Sequence, residues 1–393
     1  MRDLETELRG LQSRARYRRR RVTTTAQGPE MVVDGRPCLT FCSNDYLGLA
    51  AEPRVVAAFR AAAERYGVGA GSAHLINGHG AEHQALEAEL AEFLGRPRAL
   101  LFSTGYMANL GVVEALIGRQ GLVVEDRLNH ASLIDAGRLA GAELRRYPHA
   151  HVTAAARALT RPTRSERLLA SDGVFSMDGD VAPLAELSRL AQAAGAWLMV
   201  DDAHGIGVLG ERGRGATELA GLDRHQVPIL VGTLGKALGT AGAFVAGSEA
   251  LIEFLIQRAR TYIYTTAAPP AVAAASRESL RIVQQESWRR QKLATLVARF
   301  RAGAAELGLP LASSQSPIQP VLLGDTQMAS EVSEQLLQRG LLVPAIRPPT
   351  VPEGTARLRI TLSASHHEGQ LDRLLEALAA VLALRPPLAV QRQ

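Results

Sequence analysis

Short apolar runs alternate with helical patterns through the middle of the chain. Wholly apolar strands of this kind are typical of a mostly parallel sheet that helices cover on both faces. The predicted strands lie at 99–102, 121–125, 143–147, 167–171, 197–201, 229–232 and 242–247. Predicted helices among them are 82–94, 106–117, 131–140 and 183–194. We therefore predict an α/β fold with a seven-stranded sheet that binds its ligand beyond the carboxyl ends of the strands.

The pattern changes towards both ends of the chain. Residues 1–28 are predicted to form a leading helix with a basic end, and 31–41 a hairpin that turns at Asp34-Gly35. Further predictions are helix 53–66, a helical stretch at 271–308, strands 318–323, 341–346 and 357–362, and helices 327–339 and 366–383. The chain thus divides into an N-terminal helix and hairpin arm (1–48), a large domain (49–285) and a small α+β domain (286–393). The tail 385–393 is expected to be loose.

The composition is ordinary for a globular protein, with 47% hydrophobic and 21% charged residues and a net charge of +5. No apolar run approaches the roughly 18 residues that a membrane-spanning helix needs, and the opening MRDLETELRG lacks the apolar core of a secretory signal. We therefore expect a cytoplasmic location, in which Cys38 and Cys42 are buried free thiols. The basic run at 14–21, RARYRRRR, is more typical of a solvated helix face or an anion-binding arm than of a nucleic-acid surface.

One lysine stands out, because the chain has only Lys236 and Lys292 while arginine supplies the rest of the positive charge. Lys236 lies in the loop GTLGKALG, directly after a predicted strand. A lysine in a desolvated loop can lose its proton and attack a carbonyl, which an arginine cannot do. A surface lysine on a tight turn is the alternative. A triphosphate-binding P-loop is excluded, because Leu230 and Ala237 occupy positions that require Gly and Ser or Thr.

A second candidate pair, Asp201 and His204, follows the predicted strand WLMVD in VDDAHGIG. Both side chains would face the ligand crevice of the sheet. A metal pair is one alternative, although no third ligand is near, and helix capping by Asp201 or Asp202 is another.

Together these residues match the needs of a pyridine-ring cofactor. Such a cofactor requires a carboxylate at the ring nitrogen, an amine and donors for a phosphate. Asp201, Lys236, Thr233 and the loop 103–106 could supply them, since that loop precedes a predicted helix N-terminus. His130 could pack on the ring face.

Seven collinear stretches extend this interpretation from the first hairpin to the last strand. They are FCSNDYLGL (41–49), STGYMANLG (103–111), DRLNHASLIDA (126–136), SDGVFSMDGDVAPL (171–184), MVDDAHGIGVLGERGRG (199–215), GTLGKALGTAGAF (232–244) and AIRPPTVPEGTARLRITLSASH (345–366). The chain resembles the α-oxoamine synthases, a family of fold type I pyridoxal-phosphate enzymes. The resemblance implies pyridoxal 5′-phosphate as cofactor, and a homodimer with shared active sites. It also implies the joining of an amino acid to an acyl-CoA with loss of CO2.

The resemblance also implies roles for particular residues. The catalytic group would be Lys236 as the Schiff-base lysine, Asp201 at the pyridine nitrogen, His204 at the phenolic oxygen and His130 stacked on the ring. Further cofactor contacts would come from Gly105, Tyr106 and Thr233 at the phosphate, Ser176 near the ring, and Thr265 and Thr266 at the neighbouring subunit's phosphate. Substrate contacts would come from Arg347 at the amino acid carboxylate, from Asn44, and from Arg20 or Arg21. Asp172 stands where the best-known members have Glu, which leaves its role open.

Within the family, the segment 345–366 and the overall pattern are most similar to members that use L-alanine and a pimeloyl thioester such as pimeloyl-CoA, in biotin biosynthesis. Sister activities use glycine or serine with acetyl-, succinyl- or palmitoyl-CoA. A dinucleotide dehydrogenase is disfavoured, because the glycine-rich loop 67–80 follows a predicted helix and has Ser72 where the third Gly belongs. A nucleic-acid binder is disfavoured, because the basic residues concentrate in one short arm.

Overall fold

Strands and helices alternate through residues 2–163 and 165–383, the part of the chain that the computed structural model describes. The strands are β1 (Glu30–Val33), β2 (Arg36–Thr40), β3 (Arg98–Phe102), β4 (Leu122–Asp126), β5 (Glu143–Tyr147), β6 (Arg167–Asp172), β7 (Trp197–Asp201), β8 (Ile229–Thr233), β9 (Ala243–Gly247), β10 (Ile318–Gly324), β11 (Leu341–Leu342), β12 (Ala345–Ile346) and β13 (Ala356–Thr361). The α-helices are α1 (Leu4–Ser13), α2 (Pro53–Tyr66), α3 (Ala81–Leu94), α4 (Gly105–Leu116), α5 (Ala131–Leu139), α6 (Val152–Leu159), α7 (Leu184–Ala193), α8 (Ala216–Leu219), α9 (Glu249–Arg258), α10 (Arg260–Ile263), α11 (Pro270–Gln285), α12 (Ser287–Glu306), α13 (Thr326–Gln338) and α14 (Glu368–Leu382). A π-helical turn spans His74–Gly78. Within these described ranges, no helix is both long and apolar enough to cross a membrane.

The predicted seven-stranded sheet is confirmed, with the strand order β3-β9-β8-β7-β6-β4-β5. Only β9 runs antiparallel to its neighbours, whereas β4 to β8 pair in parallel. One face of the sheet packs against α4, α5 and α9 in a buried core that includes Val112, Val123, Met199 and Val231. Burial on both faces explains why the central strands, such as β7 and β8, are mostly apolar in sequence, whereas the edge strand β5, ELRRY, is partly exposed.

The described residues fall into two compact units. The larger contains 49–176 and 181–290, and the other contains the described parts of 1–48, 177–180 and 291–393. In the second unit, β10, β13 and β12 form an antiparallel sheet. The hairpin β1–β2 continues into β11, which pairs in parallel with β2, so the N-terminal residues share a unit with the C-terminal segments. The tail 385–393 lies outside the described residues.

The hairpin turn was predicted correctly, since Asp34 and Gly35 both have positive φ, as a two-residue type I′ turn requires. The predicted helix over 1–28 was wrong, because α1 ends at Ser13 and Ala15 has a φ of 53°. Repulsion among the arginines of 14–21 opposes a continuous helix there. Cys38 is buried as predicted, whereas Cys42, beyond the end of β2, is only half-buried; both are free thiols.

Two further predictions were too long. The stretch 271–308 is two helices, since Glu286 leaves the helical conformation between α11 and α12. The strand predicted at 341–346 is divided into β11 and β12, which pair with different partners, and Pro344 between them cannot donate to a sheet. The sequence analysis missed α6, α9 and the short helices α8 and α10.

Asp202 fixes the loop that follows β7. It is fully buried, and its Oδ2 accepts a hydrogen bond from the Ala216 amide at 2.6 Å, at the start of α8. Three glycines, Gly173, Gly205 and Gly215, surround the carboxylate so closely that a Cβ on any of them would overlap it. Asp202 is therefore the structural carboxylate of the DDAHGIG segment, and Asp201 is left for the site.

Replacing Gly215 with Ala should destabilise the larger unit more than replacing Gly221 does. Both glycines have positive φ, at 95° and 67°, so each alanine adds backbone strain. The strain is larger at Gly215, whose ψ of −164° lies in a region essentially confined to glycine. Only the Gly215 Cβ would meet Asp202, whereas the Gly221 Cβ has no atom within 4 Å. The overlap should lower the free energy of unfolding by about 1–3 kcal/mol more, measured by urea denaturation. Equal losses in the two variants would contradict this account of Asp202.

Candidate functional site

A cavity of about 200 Å³ lies at the carboxyl ends of β6, β7 and β8. Its lining contains eight of the residues predicted for the cofactor site: Gly105, Tyr106, His130, Ser176, Asp201, His204, Thr233 and Lys236. Ser132, Asp172, Val174 and Ala203 complete the lining. The parallel sheet explains this convergence, because consecutive parallel strands deliver their following loops to one edge.

Asp201 is held in place by two donors. It ends β7 and is 8% exposed. Asn109 Nδ2 donates to its Oδ2 at 2.6 Å, and the Ala203 amide donates to its Oδ1 at 3.1 Å. Asn109 is itself fully buried in α4 and also donates to Ser132 Oγ at 2.8 Å. The carboxylate therefore has a fixed orientation at the cavity.

Asn109 was missed by the sequence analysis. An asparagine within the apolar stretch MANLGVV (107–113) of a predicted helix is a signal that could have found it, because a buried amide needs a polar partner.

Lys236 is half-buried in the loop that follows β8, and its Nζ lies 2.9 Å from His204 Nε2. The loop is turned by Thr233, whose Oγ1 donates to the Gly242 carbonyl at 3.0 Å and accepts from the Gly235 amide at 3.2 Å. Gly239 closes the turn with a φ of 68°. An amine and an imidazole in hydrogen-bond contact can exchange a proton.

His130 begins α5, where its Nδ1 accepts from the Ser132 amide at 3.3 Å and contacts Ser132 Oγ at 2.7 Å. The side chain remains exposed, yet surrounding protein atoms desolvate the imidazole and lower its pKa. The nearby Asp201 opposes this shift of the pKa and Lys236 adds to it. The Tyr106 ring stands edge-on to His130, with 6.2 Å between the ring centroids.

Asp172 accepts a hydrogen bond from the backbone of His130. The two carboxylates end neighbouring strands, because Asp172 pairs with Asp201 in the β6–β7 register. Asp172 Oδ2 accepts from the His130 amide at 3.1 Å, and the Asp172 amide donates to Asn129 Oδ1 at 3.0 Å. Burial, and then the charge of Asp201, raise the pKa of Asp172 well above its ordinary value. Its short side chain thus positions the loop at 129–130.

The first turn of α4 offers donors for an anion. Thr104 caps the helix by accepting from the Met107 amide at 3.1 Å. The amides of Gly105 and Tyr106 precede it, and first-turn amides have no acceptor within the helix. The site therefore combines a carboxylate, an amine, a ring-sized cleft beside His130 and a helix N-terminus. This donor set fits a pyridine-ring phosphate cofactor.

Thr265 and Thr266 do not line this cavity. Thr266 forms a bridge with Ala73, and the Ala267 amide donates to the Ser72 carbonyl at 2.9 Å. The segment is thereby tied to the glycine-rich loop 67–80.

The predicted substrate residues belong to the other compact unit. Arg347 Nη1 donates to the Ala15 carbonyl and to Ser330 Oγ, and burial lowers the pKa of its guanidinium. Arg20 is exposed, and Arg21 pairs with Asp34 at 3.2 Å.

Asn44 shows a contact that the sequence analysis missed. Its Oδ1 accepts from Arg359 Nη1 at 3.3 Å and from the Tyr46 hydroxyl at 3.2 Å. Arg359 is 6% exposed. Two arginines that alternate with apolar residues in the predicted strand ARLRIT were the available signal, because a buried guanidinium needs polar partners.

The fold and the cavity are those of the fold type I pyridoxal-phosphate enzymes. Residues 36–378 match the aminotransferase class I and II family, and the chain belongs to that family.

Similar proteins carry more specific names. The chain is 64% identical to an 8-amino-7-oxononanoate synthase of Thioalkalivibrio sulfidiphilus, over 96% of this chain and 97% of the relative. It is 62% identical to the synthase of the same name from Nitrosococcus oceani, over 96% and 100%. A serine palmitoyltransferase from S. paucimobilis, solved with bound PLP and myriocin, is 32% identical over 97% of both chains, with a TM-score of 0.91.

Replacing Asn109 with Ala should lower turnover by about tenfold or more. The change removes a charge-assisted hydrogen bond to Asp201, worth about 1.5–3 kcal/mol. The kcat of the purified enzyme should fall while its KM changes little, because Asn109 acts through Asp201. Ser188→Ala is the control for loss of a buried polar group, since Ser188 donates to the Gln226 carbonyl at 3.0 Å and does not line the cavity. An unchanged kcat in a folded Asn109→Ala protein would show that Asp201 does not need this donor.

Proposed function

We propose that this chain condenses L-alanine with pimeloyl-CoA, or another pimeloyl thioester, to form 8-amino-7-oxononanoate, CoA and CO2. It would thus be a PLP-dependent acyltransferase of biotin biosynthesis. The placement of Lys236, His204 and Asp201 around one cavity supports the chemistry. The identity of 64% and 62% to synthases named for this product supports the substrates.

Pyridoxal 5′-phosphate is the proposed cofactor. Lys236 would hold its aldehyde carbon, and Asp201 its ring nitrogen. The first-turn amides of Gly105 and Tyr106, with Thr233, would hold its phosphate, and His130 and Ser176 would border the ring. When bound, the cofactor supplies an electron-withdrawing ring that stabilises negative charge at Cα of the amino acid.

Residues of the chain would hold the proton on the ring nitrogen and transfer the Cα proton of alanine. Asp201, oriented by Asn109, keeps a proton on the ring nitrogen, which preserves the electron-withdrawing power of the ring. The Lys236 amine removes the Cα proton of alanine, and His204, 2.9 Å from Nζ, relays or holds that proton. The Cα carbon would then bond to the thioester carbonyl carbon as CoA leaves, and the carboxylate would depart as CO2. Lys236 would finally return a proton to Cα.

A homodimer in the cytoplasm is part of the proposal. Thr265 and Thr266 lie outside their own chain's cavity, as residues that serve a neighbouring subunit would. Large apolar side chains are exposed beside them and in the glycine-rich loop: Val68 at 89%, Ile76 at 78% and Tyr264 at 71%. A second copy would cover such a patch.

Substrate roles for Arg20, Arg21, Asn44 and Arg347 remain predictions from the resemblance. The alternative is a sister activity: 2-amino-3-ketobutyrate CoA ligase, 5-aminolevulinate synthase or serine palmitoyltransferase. The 32% identity to a serine palmitoyltransferase is half of that to the 8-amino-7-oxononanoate synthases, which favours the alanine reaction.

Replacing Lys236 with Ala should abolish CoA release and the covalent retention of PLP after borohydride reduction. The reason is that no other residue of the cavity carries a primary amine. Lys292→Ala, the change at the remaining lysine of the chain, should preserve both properties. CoA release can be followed with a thiol reagent, and retained PLP by absorbance of the denatured protein. Covalent retention in the Lys236→Ala protein would disprove the assignment of the lysine.

A substrate panel should separate the sister activities. CoA release is expected to be fastest with L-alanine and pimeloyl-CoA, and at least about tenfold slower when either is exchanged. The panel pairs alanine, glycine and serine with pimeloyl-, acetyl-, succinyl- and palmitoyl-CoA. Faster release with glycine or serine would assign the chain to a sister activity, while leaving the PLP chemistry in place.

A further inference from the structure

A second cavity, of about 490 Å³, lies at the edge of the large sheet opposite Lys236. Arg96 directly precedes the amino end of β3, and Asp223 to Gln226 lead into the amino end of β8. These two strands run in the same direction, because both are antiparallel to β9. The cavity is therefore separate from the site at the carboxyl ends.

Arginine dominates this cavity. Its lining includes Arg96, Arg214, Arg224 and His225, against the two carboxylates Glu218 and Asp223. Charged side chains are rarely buried in proteins unless they form ion pairs.

Arg96 is the most buried of them, at 7% exposure. Its Nη1 donates to the Val227 carbonyl, and within residues 2–163 and 165–383 its side chain has no other hydrogen-bond partner. Burial lowers the pKa of its guanidinium to about 10. A guanidinium carries five N–H donors, and most of those of Arg96 are left to face the cavity.

Arg214 and Arg224 are also without carboxylate partners. Arg214 Nε is buried and has no acceptor in the described part of the chain. Arg224 is exposed at the rim, where its Nε contacts His225 Nε2 at 3.4 Å. Neither arginine forms an ion pair with any described residue.

Backbone amides already engage the two carboxylates. Glu218 Oε2 accepts from the amides of Arg212 and Arg214 at 3.2 and 3.0 Å. Asp223 Oδ1 accepts from the amides of His225 and Gln226 at 2.8 and 2.9 Å. The cavity therefore keeps a positive balance and a surplus of donors.

We propose that this cavity binds a phosphate-class anion through Arg96, Arg214 and Arg224. Three guanidinium groups present more donors than the two oxygens of a carboxylate can accept, whereas a phosphate monoester offers three acceptor oxygens and nearly two negative charges. The bound anion would also stabilise α8, whose Ala216 amide holds Asp202 beside Asp201.

Titration of the PLP-loaded enzyme with inorganic phosphate tests the proposal, because loading occupies the phosphate subsite of the cofactor. The titration is made at constant ionic strength in chloride, with phosphate binding measured by equilibrium dialysis and the melting temperature recorded in parallel. We expect saturable binding of one phosphate per chain and a rise in melting temperature.

Arg224→Gln, at the exposed rim, should weaken phosphate binding by about tenfold or more, the loss expected for one charge-assisted contact. Arg96→Gln should do the same. Arg98→Gln is the matched control, since Arg98 stands two residues further along, paired with Glu249 and Glu253 at 2.9 and 3.0 Å, and should keep wild-type affinity.

The proposal is overturned if the PLP-loaded enzyme shows no saturable phosphate binding, or if Arg224→Gln binds phosphate as tightly as wild type. Displacement of phosphate by acetate at equal concentration would overturn the choice of a phosphate-class ligand. The test does not depend on turnover, so its failure is distinct from failure of the proposed condensation reaction.

Discussion

The site depends on keeping a buried carboxylate, Asp201, oriented at the end of a parallel sheet. Burying a carboxylate is costly unless hydrogen bonds compensate it. Asn109 and the Ala203 amide supply those bonds. On the next strand, burial and then the charge of Asp201 raise the pKa of Asp172 well above its ordinary value. The side chains of Lys236 and His204 border the same cavity as the Asp201 carboxylate. Together they make a site in which a cationic aromatic ring would be stabilised.

Asp201 and Asp202 have different roles because their side chains point in different directions at the end of β7. Successive side chains of a strand point to opposite faces, so neighbouring aspartates cannot serve one ligand. Asp201 points to the cavity, whereas Asp202 points into the loop and binds the start of α8 through the Ala216 amide. A Cβ at Gly173, Gly205 or Gly215 would overlap the Asp202 carboxylate, which explains why this chain has glycine at these three turn positions. Asp201 thus belongs to the site, and the adjacent Asp202 stabilises the loop that follows β7.

Sequence patterns predicted the large sheet well because most of its strands are buried and bounded by polar loops. They predicted eight of the cavity residues, because turns after parallel strands meet at one edge. They failed where local propensity competed with other forces: the arginine run ended α1 early, Glu286 divided a long helix, and Pro344 divided a strand. Asn109 and Arg359 were missed, since each lies inside an element whose pattern indicates only packing.

The sequence by itself determined the α/β class. It also determined that Lys236 lies in a loop directly after a strand, and which polar residues follow each strand along the chain. Only the tertiary structure decided which polar groups meet. Asn109 and Asp201 are far apart in sequence, as are His204 and Lys236, yet each pair lies within hydrogen-bond distance. The physical reason is that hydrophobic periodicity fixes which face of an element is buried, whereas the pairing order of the strands fixes which loops become neighbours.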